Sequence, residues 1–155
     1  DFEGRSALLL GKAKDNNASC AIGPFIRLFD DKFSLDDIRH ANISLTVDGL
    51  EGFRLEGNSS MKYISRDPLE LVQHCKGNHH QYPDGLVLFL GTMFSPIQDR
   101  DEPGQGFTHK VGDIVNIHTP LLGSLVNRVN TCDQISPWVF GTSALMRNLA
   151  QRGLI

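Results

Sequence analysis

Cysteine is scarce, at three in 155 residues, and Cys20, Cys75 and Cys132 form no Cys-x-x-Cys pair. An odd, scattered set argues against a disulfide framework and for buried thiols in a reducing, cytoplasmic compartment. No apolar run approaches the about 20 residues that cross a bilayer, and no basic-then-apolar leader opens the chain, so no membrane partner is expected. Neither sign of charge dominates. The formal net charge is −3 and the isoelectric point about 6.0, which leaves no electrostatic footprint for nucleic acid. His-Glu-x-x-His, Gly-x-Ser-x-Gly and EF-hand spacings are also missing, and Gly104-x-Gly106 lacks the third glycine and the helix of a dinucleotide loop.

What the chain does contain is ordinary globular composition, with 40% hydrophobic and 21% charged residues. Its length suits one domain. The first residue is Asp1 rather than Met, and DFEGRSALLLGKAKD begins in mid-pattern, so a piece of a longer protein is expected.

Local signals place three helices. Asp67-Pro68-Leu69-Glu70 supplies an N-cap, a proline at the first helical position and a glutamate at the third, ahead of a run ending at Gly77. Ser34-Leu35-Asp36-Asp37 opens a shorter helix to about residue 41. A third follows Thr142-Ser143 and stops at Gly153. Strands are expected where Ile43, Leu45 and Val47 alternate with polar residues, at 114–118 and at 124–129. The continuous apolar run LVLFL at 86–90 predicts a central strand buried on both faces. The fold class expected is α+β, rich in strand, with short helices at its edges.

Residues 91–113 form a long polar connection between apolar runs, and loops of this length are usually functional or disordered. Phe94, Ile97 and Phe107 give this one something to pack. Asp99, Asp101 and Glu102 are an acidic cluster best read as a solvated loop face. His74, His79 and His80 read as surface histidines. His109, beside Lys110 and inside the loop, is the histidine closest to any chemistry.

Five stretches together resemble the fumarylacetoacetate hydrolase superfamily across nearly the whole chain. Gly91-Thr92-Met93 after LVLFL is similar to that family's Thr-Gly-Thr-Pro turn, with Met93-Phe94 in place of the proline. Val111-Gly112-Asp113-Ile114-Val115 and Gly123-Ser124-Leu125-Val126-Asn127-Arg128-Val129 are similar to its Pro-Gly-Asp-x-Val step and its last strand. Lys14, ahead of Gly23-Pro24, resembles the family lysine, although Asn17 stands where many members carry Asp or Gly. Asn58-Ser59-Ser60-Met61 resembles Thr-Ser-x-Met. The inserted DRDEPGQGFTHK is most like the longer members, among them dehydratases of 2-keto-3-deoxy sugar acids.

The resemblance implies that residues 1–155 are the C-terminal portion of one catalytic domain, a mixed β-roll incomplete at its N-terminus and usually a homodimer. It implies a divalent-metal-dependent enzyme, with Mg²⁺, Mn²⁺ or Ca²⁺, that hydrolyses a C–C bond in small 2-oxo or 1,3-dicarbonyl acids. The alternatives are a 2-keto-3-deoxy sugar acid dehydratase, which is a lyase, or a non-catalytic domain. Lys14 would be the catalytic lysine beside the metal, and Thr92 would meet the substrate carboxylate. Phe107 or Phe94 would form an apolar wall under the arching loop. No metal ligand is assigned within the chain. The Glu-x-Glu pair, the Asp and the water-activating dyad would all precede Asp1, so the isolated chain is expected to be inactive.

Overall fold

The computed structural model describes residues 20–91 and 96–155. Four strands form one antiparallel sheet in the order β2-β1-β3-β4: β1 is Asn42–Asp48, β2 Arg54–Ser60, β3 Ile114–Thr119 and β4 Gly123–Arg128. Among the described residues three α-helices accompany them, α1 at Leu35–Arg39, α2 at Pro68–Cys75 and α3 at Thr142–Gln151. The class is α+β.

The helix starts follow the sequence chemistry. The Asp67 carboxylate accepts the Leu69 amide at 2.9 Å, and Pro68 follows at the first helical position, where an amide donor would go unused. At α1 the Asp37 carboxylate turns back to accept the Ser34 amide at 2.8 Å. The Ala41 carbonyl then receives the Met61 amide, which ties the start of β1 to the turn that ends β2.

The register sets two sheet faces. Val47 pairs with Leu55 on one side and Val115 on the other, and Leu45 sits opposite Gly57 and Ile117. Cross-strand partners share a face, so Ile43, Leu45, Val47, Leu55, Val115, Ile117 and Leu125 form an apolar side. Ser44, Thr46, Asn58, Asn116, His118 and Ser124 fall on the opposite, polar side. The least exposed side chains of any size are Val47, Leu55 and Asp113. All three lie at the Asp48 end of the sheet, where the polar loop returns.

Several expectations need correction. Residues 86–90 belong to no strand, and Val87 is 78% exposed. A continuous apolar run says that both faces want burial but not what pairs with it. Among the described residues no strand lies beside it to satisfy its backbone groups. Conversely, Arg54–Ser60 is a full strand that alternation did not mark. Its inward positions are Leu55, Gly57 and Ser59, which give almost no apolar signal.

The thiols are free as expected but not buried. Cys20 and Cys132 are exposed and Cys75 is half-buried, because the segments around 20–29 and 132–140 run uncovered, with Phe25 and Trp138 open to solvent. His74, His79 and His80 are exposed, as expected. Among the described residues no helix is long and apolar enough to cross a membrane.

Candidate functional site: a clasped loop at one end of the sheet

The loop before β3 is folded by its own acidic residues. Asp99 accepts the amides of Gly104 and Gly106, both at 2.7 Å. Those two amide bonds, Gly104 first, hold its carboxyl below the usual range. Both glycines have left-handed φ, 83° and 73°, which keeps the turn open to few other residues. Asp101 forms an ion pair with Lys110 on the exposed rim. The acidic cluster is exposed, as a solvated loop face should be, while Asp99 and Asp101 also hold the turn, and Gly104-x-Gly106 is turn chemistry.

Below the rim sits a buried ion pair. The Arg100 guanidinium forks onto both oxygens of Asp113, with Nη2 to Oδ1 at 2.7 Å. Their side chains are 4% and 0% exposed. The Lys110 amide donates to Asp113 Oδ2 at 2.8 Å, and Arg100 Nη1 also donates to the Thr108 carbonyl. The Arg100 hydrogen bond is the largest influence on Asp113 and, with the Lys110 amide, outweighs the burial that opposes it. The carboxyl is held down at about 2.

Asp113 follows Gly112, whose φ of 96° is a left-handed turn open mainly to glycine. The Gly112-Asp113 step thus turns the chain into β3 and plants the anion that anchors the loop. Gly49 faces the same pair: a Cβ there would stand 2.6 Å from Arg100 Nη2 and 3.1 Å from Asp113 Oδ1.

The ion pair carries an aromatic wall. Arg100 Cζ lies 4.4 Å over the Phe53 ring. Phe53 stacks on Phe107 at 6.1 Å between centroids, and Phe107 meets His109 edge-on at 4.8 Å. His109 Nδ1 stands 3.6 Å from Asp113 Oδ2. Phe107, expected to form an apolar wall, is half-buried in this stack. Lys14, Thr92 and Phe94 lie outside the described residues.

The wall can bound a pocket and shield charge, but the described carboxylates near it do not make a cage for a hard cation. Asp99 is taken by amides, Asp101 by Lys110 and Asp113 by Arg100. Among the described residues no cluster of three potential metal ligands occurs.

Sequence reasoning did not single out Arg100, Phe53 or the anchoring role of Asp113. The signal available was an Arg in a polar loop and an Asp directly ahead of a buried strand, since a buried carboxylate needs a cation to offset its desolvation. Comparison of the chain with protein-family models, with curated proteins and with solved structures finds no match.

Proposed function

We propose that this chain forms the substrate wall of a divalent-metal-dependent enzyme of the fumarylacetoacetate hydrolase superfamily, acting on small 2-oxo or 1,3-dicarbonyl acids by C–C bond hydrolysis. The observation that carries this reading is the position of Asp113. The Gly-Asp step of the motif that resembles the family's also anchors the long loop and sets Phe107 against Phe53. A loop that an enzyme must keep ordered over its site needs such a rigid root.

In this reading the sheet is part of the family's β-roll, usually a homodimer in the cytoplasm, and the metal carboxylates come from sequence preceding Asp1. Lys14 presents an ammonium to the substrate, Thr92 donates its hydroxyl to the substrate carboxylate, and Phe107 excludes water from one side. Dehydration of a 2-keto-3-deoxy sugar acid is the second reading, favoured by the DRDEPGQGFTHK insertion.

The test is an assay of the protein carrying its upstream sequence, with acylpyruvates and 2-keto-3-deoxypentonates in the presence of Mg²⁺. Turnover of the first class supports the hydrolase, and turnover of the second the lyase. Lys14→Ala should lower kcat/KM by about 10- to 150-fold, the loss of one charge-assisted hydrogen bond of roughly 1.5–3 kcal/mol. Thr92→Val should weaken substrate binding by less. No turnover of either class, from a chain whose upstream part holds Glu-x-Glu and Asp, would overturn the proposal. Their absence upstream would indicate a non-catalytic domain.

A further inference from the structure

The opposite end of the sheet carries a second concavity. The clasp sits by Asp48, and six residue steps away along β1, roughly 20 Å at strand rise, a cavity of about 550 Å³ opens around Asn42. Its lining includes Ser44, Asn58, Ser60, Tyr63 and His118, on the polar face or on the turn that follows β2.

Ile43, Ser59 and Pro120 complete the lining. Among the described residues no Asp, Glu, Lys or Arg borders the cavity. Its polar groups are amides, hydroxyls and one imidazole, each able to match a group that both donates and accepts. His118 Nδ1 shares a 2.9 Å hydrogen bond with Ser124 Oγ, which fixes the ring and leaves Nε2 for another partner. Among the described residues no hydrogen bond engages the side-chain amides of Asn42 and Asn58 or the Tyr63 hydroxyl, and Tyr63 is 87% exposed. An aromatic ring held open beside spare amides is costly in apolar exposure, and a ligand with a flat C–H face would cover it.

We propose that this cavity is a binding site for a neutral polyhydroxylated ligand, a sugar or polyol, with Tyr63 as the stacking platform and Asn42, Asn58 and His118 as hydroxyl partners. An anionic ligand would find no fixed cation among the described lining residues, and an apolar one would strand the two amides. Each sugar hydroxyl offers one donor and two acceptor positions, which suits an Asn amide used through both its oxygen and its nitrogen. The site does not depend on the reaction proposed above, because it uses none of the same residues and binding alone reports on it.

The experiment is a titration of isotope-labelled protein with D-xylose and D-arabinose, with pyruvate as the anionic control, followed through the Asn side-chain amide resonances. Saturable shifts at Asn42 and Asn58 with a pentose, and none with pyruvate, are expected. Tyr63→Ala should weaken binding by about tenfold or more, while Tyr63→Phe, which keeps the ring, should retain most of it. Should Tyr63→Ala fail to fold, Asn58→Ala carries the same test. No saturable pentose shift, equal shifts from pyruvate, or full pentose binding by the folded Tyr63→Ala or Asn58→Ala protein would overturn the proposal.

Discussion

Arg100 and Asp113, thirteen residues apart, meet as a forked ion pair with 4% and 0% of their side chains exposed. Such a pair is costly to desolvate and costly to break, and it contributes most by allowing one loop arrangement and no other.

Arg100→Met should therefore destabilise the protein by roughly 3–5 kcal/mol, because it leaves the Asp113 carboxylate buried without a cation. Adding Asp113→Leu removes that charge and should recover much of the loss. Recovery should stop short by roughly 1–3 kcal/mol, since the Lys110 amide loses its acceptor. Urea unfolding of the three proteins checks this. A single Arg100→Met variant as stable as the parent would mean that the pair opens to water in solution.

Acid should dissolve the clasp in a defined window. Asp113 has its folded pKa lowered from 3.8 to about 2, mainly by the Arg100 hydrogen bond. A depressed carboxylate contributes stability that is present above its unfolded value and lost as pH falls through the folded one. The loss should run from about pH 4 down to about pH 2 and amount to roughly 2 kcal/mol. Other carboxylates are also held below their usual range, Asp67 mainly by its Arg39 hydrogen bond and Asp99 by the Gly104 amide. The diagnostic quantity is thus the difference between the parent and Arg100→Met, which should narrow across that window. Stability curves that stay parallel would show that Asp113 is not held down by Arg100.

How much of this was legible depends on how local each signal is. The Asp67-Pro68 start, the alternation of Ile43, Leu45 and Val47, and the two strands after Gly112 carry their information within a few residues, and all stand in the structure. The strand at Arg54–Ser60 is held by pairing with β1 rather than by its own apolar side chains. The clasp is non-local in another way. Nothing in a single sequence says which of Asp99, Asp101 and Asp113 takes the arginine and which takes backbone amides, because that choice follows from burial. Of the proposed site, only Phe107 can be placed, and its neighbours Phe53 and Arg100 are visible only in three dimensions.

The uncovered run at 86–90 makes a prediction about exchange. Its amides find no strand partner among the described residues, so they should exchange about as fast as those of 99–106 and far faster than those of 43–47. Protection at 86–90 equal to that of β1 would mean that another strand covers the run. Hydrogen exchange read residue by residue across 43–47, 86–90 and 99–106 separates the two states directly.

Phe107 distinguishes a wall that serves a substrate from one that only closes the fold. The ring is half-buried, its stack with Phe53 spans 6.1 Å, and its edge contact with His109 spans 4.8 Å. Aromatic pairs of this kind contribute about 0.5–1.5 kcal/mol beyond their buried area. Phe107→Ala should therefore cost less stability than Arg100→Met, whose partner is left charged and buried. Phe107→Leu keeps apolar bulk and should cost less again. If the wall lies against the substrate, both variants of the active protein should raise KM, alanine more than leucine, in folded material whose Arg100–Asp113 clasp is intact by its acid titration. A loss of stability with KM unchanged would assign Phe107 to the loop's own packing and remove it from the site.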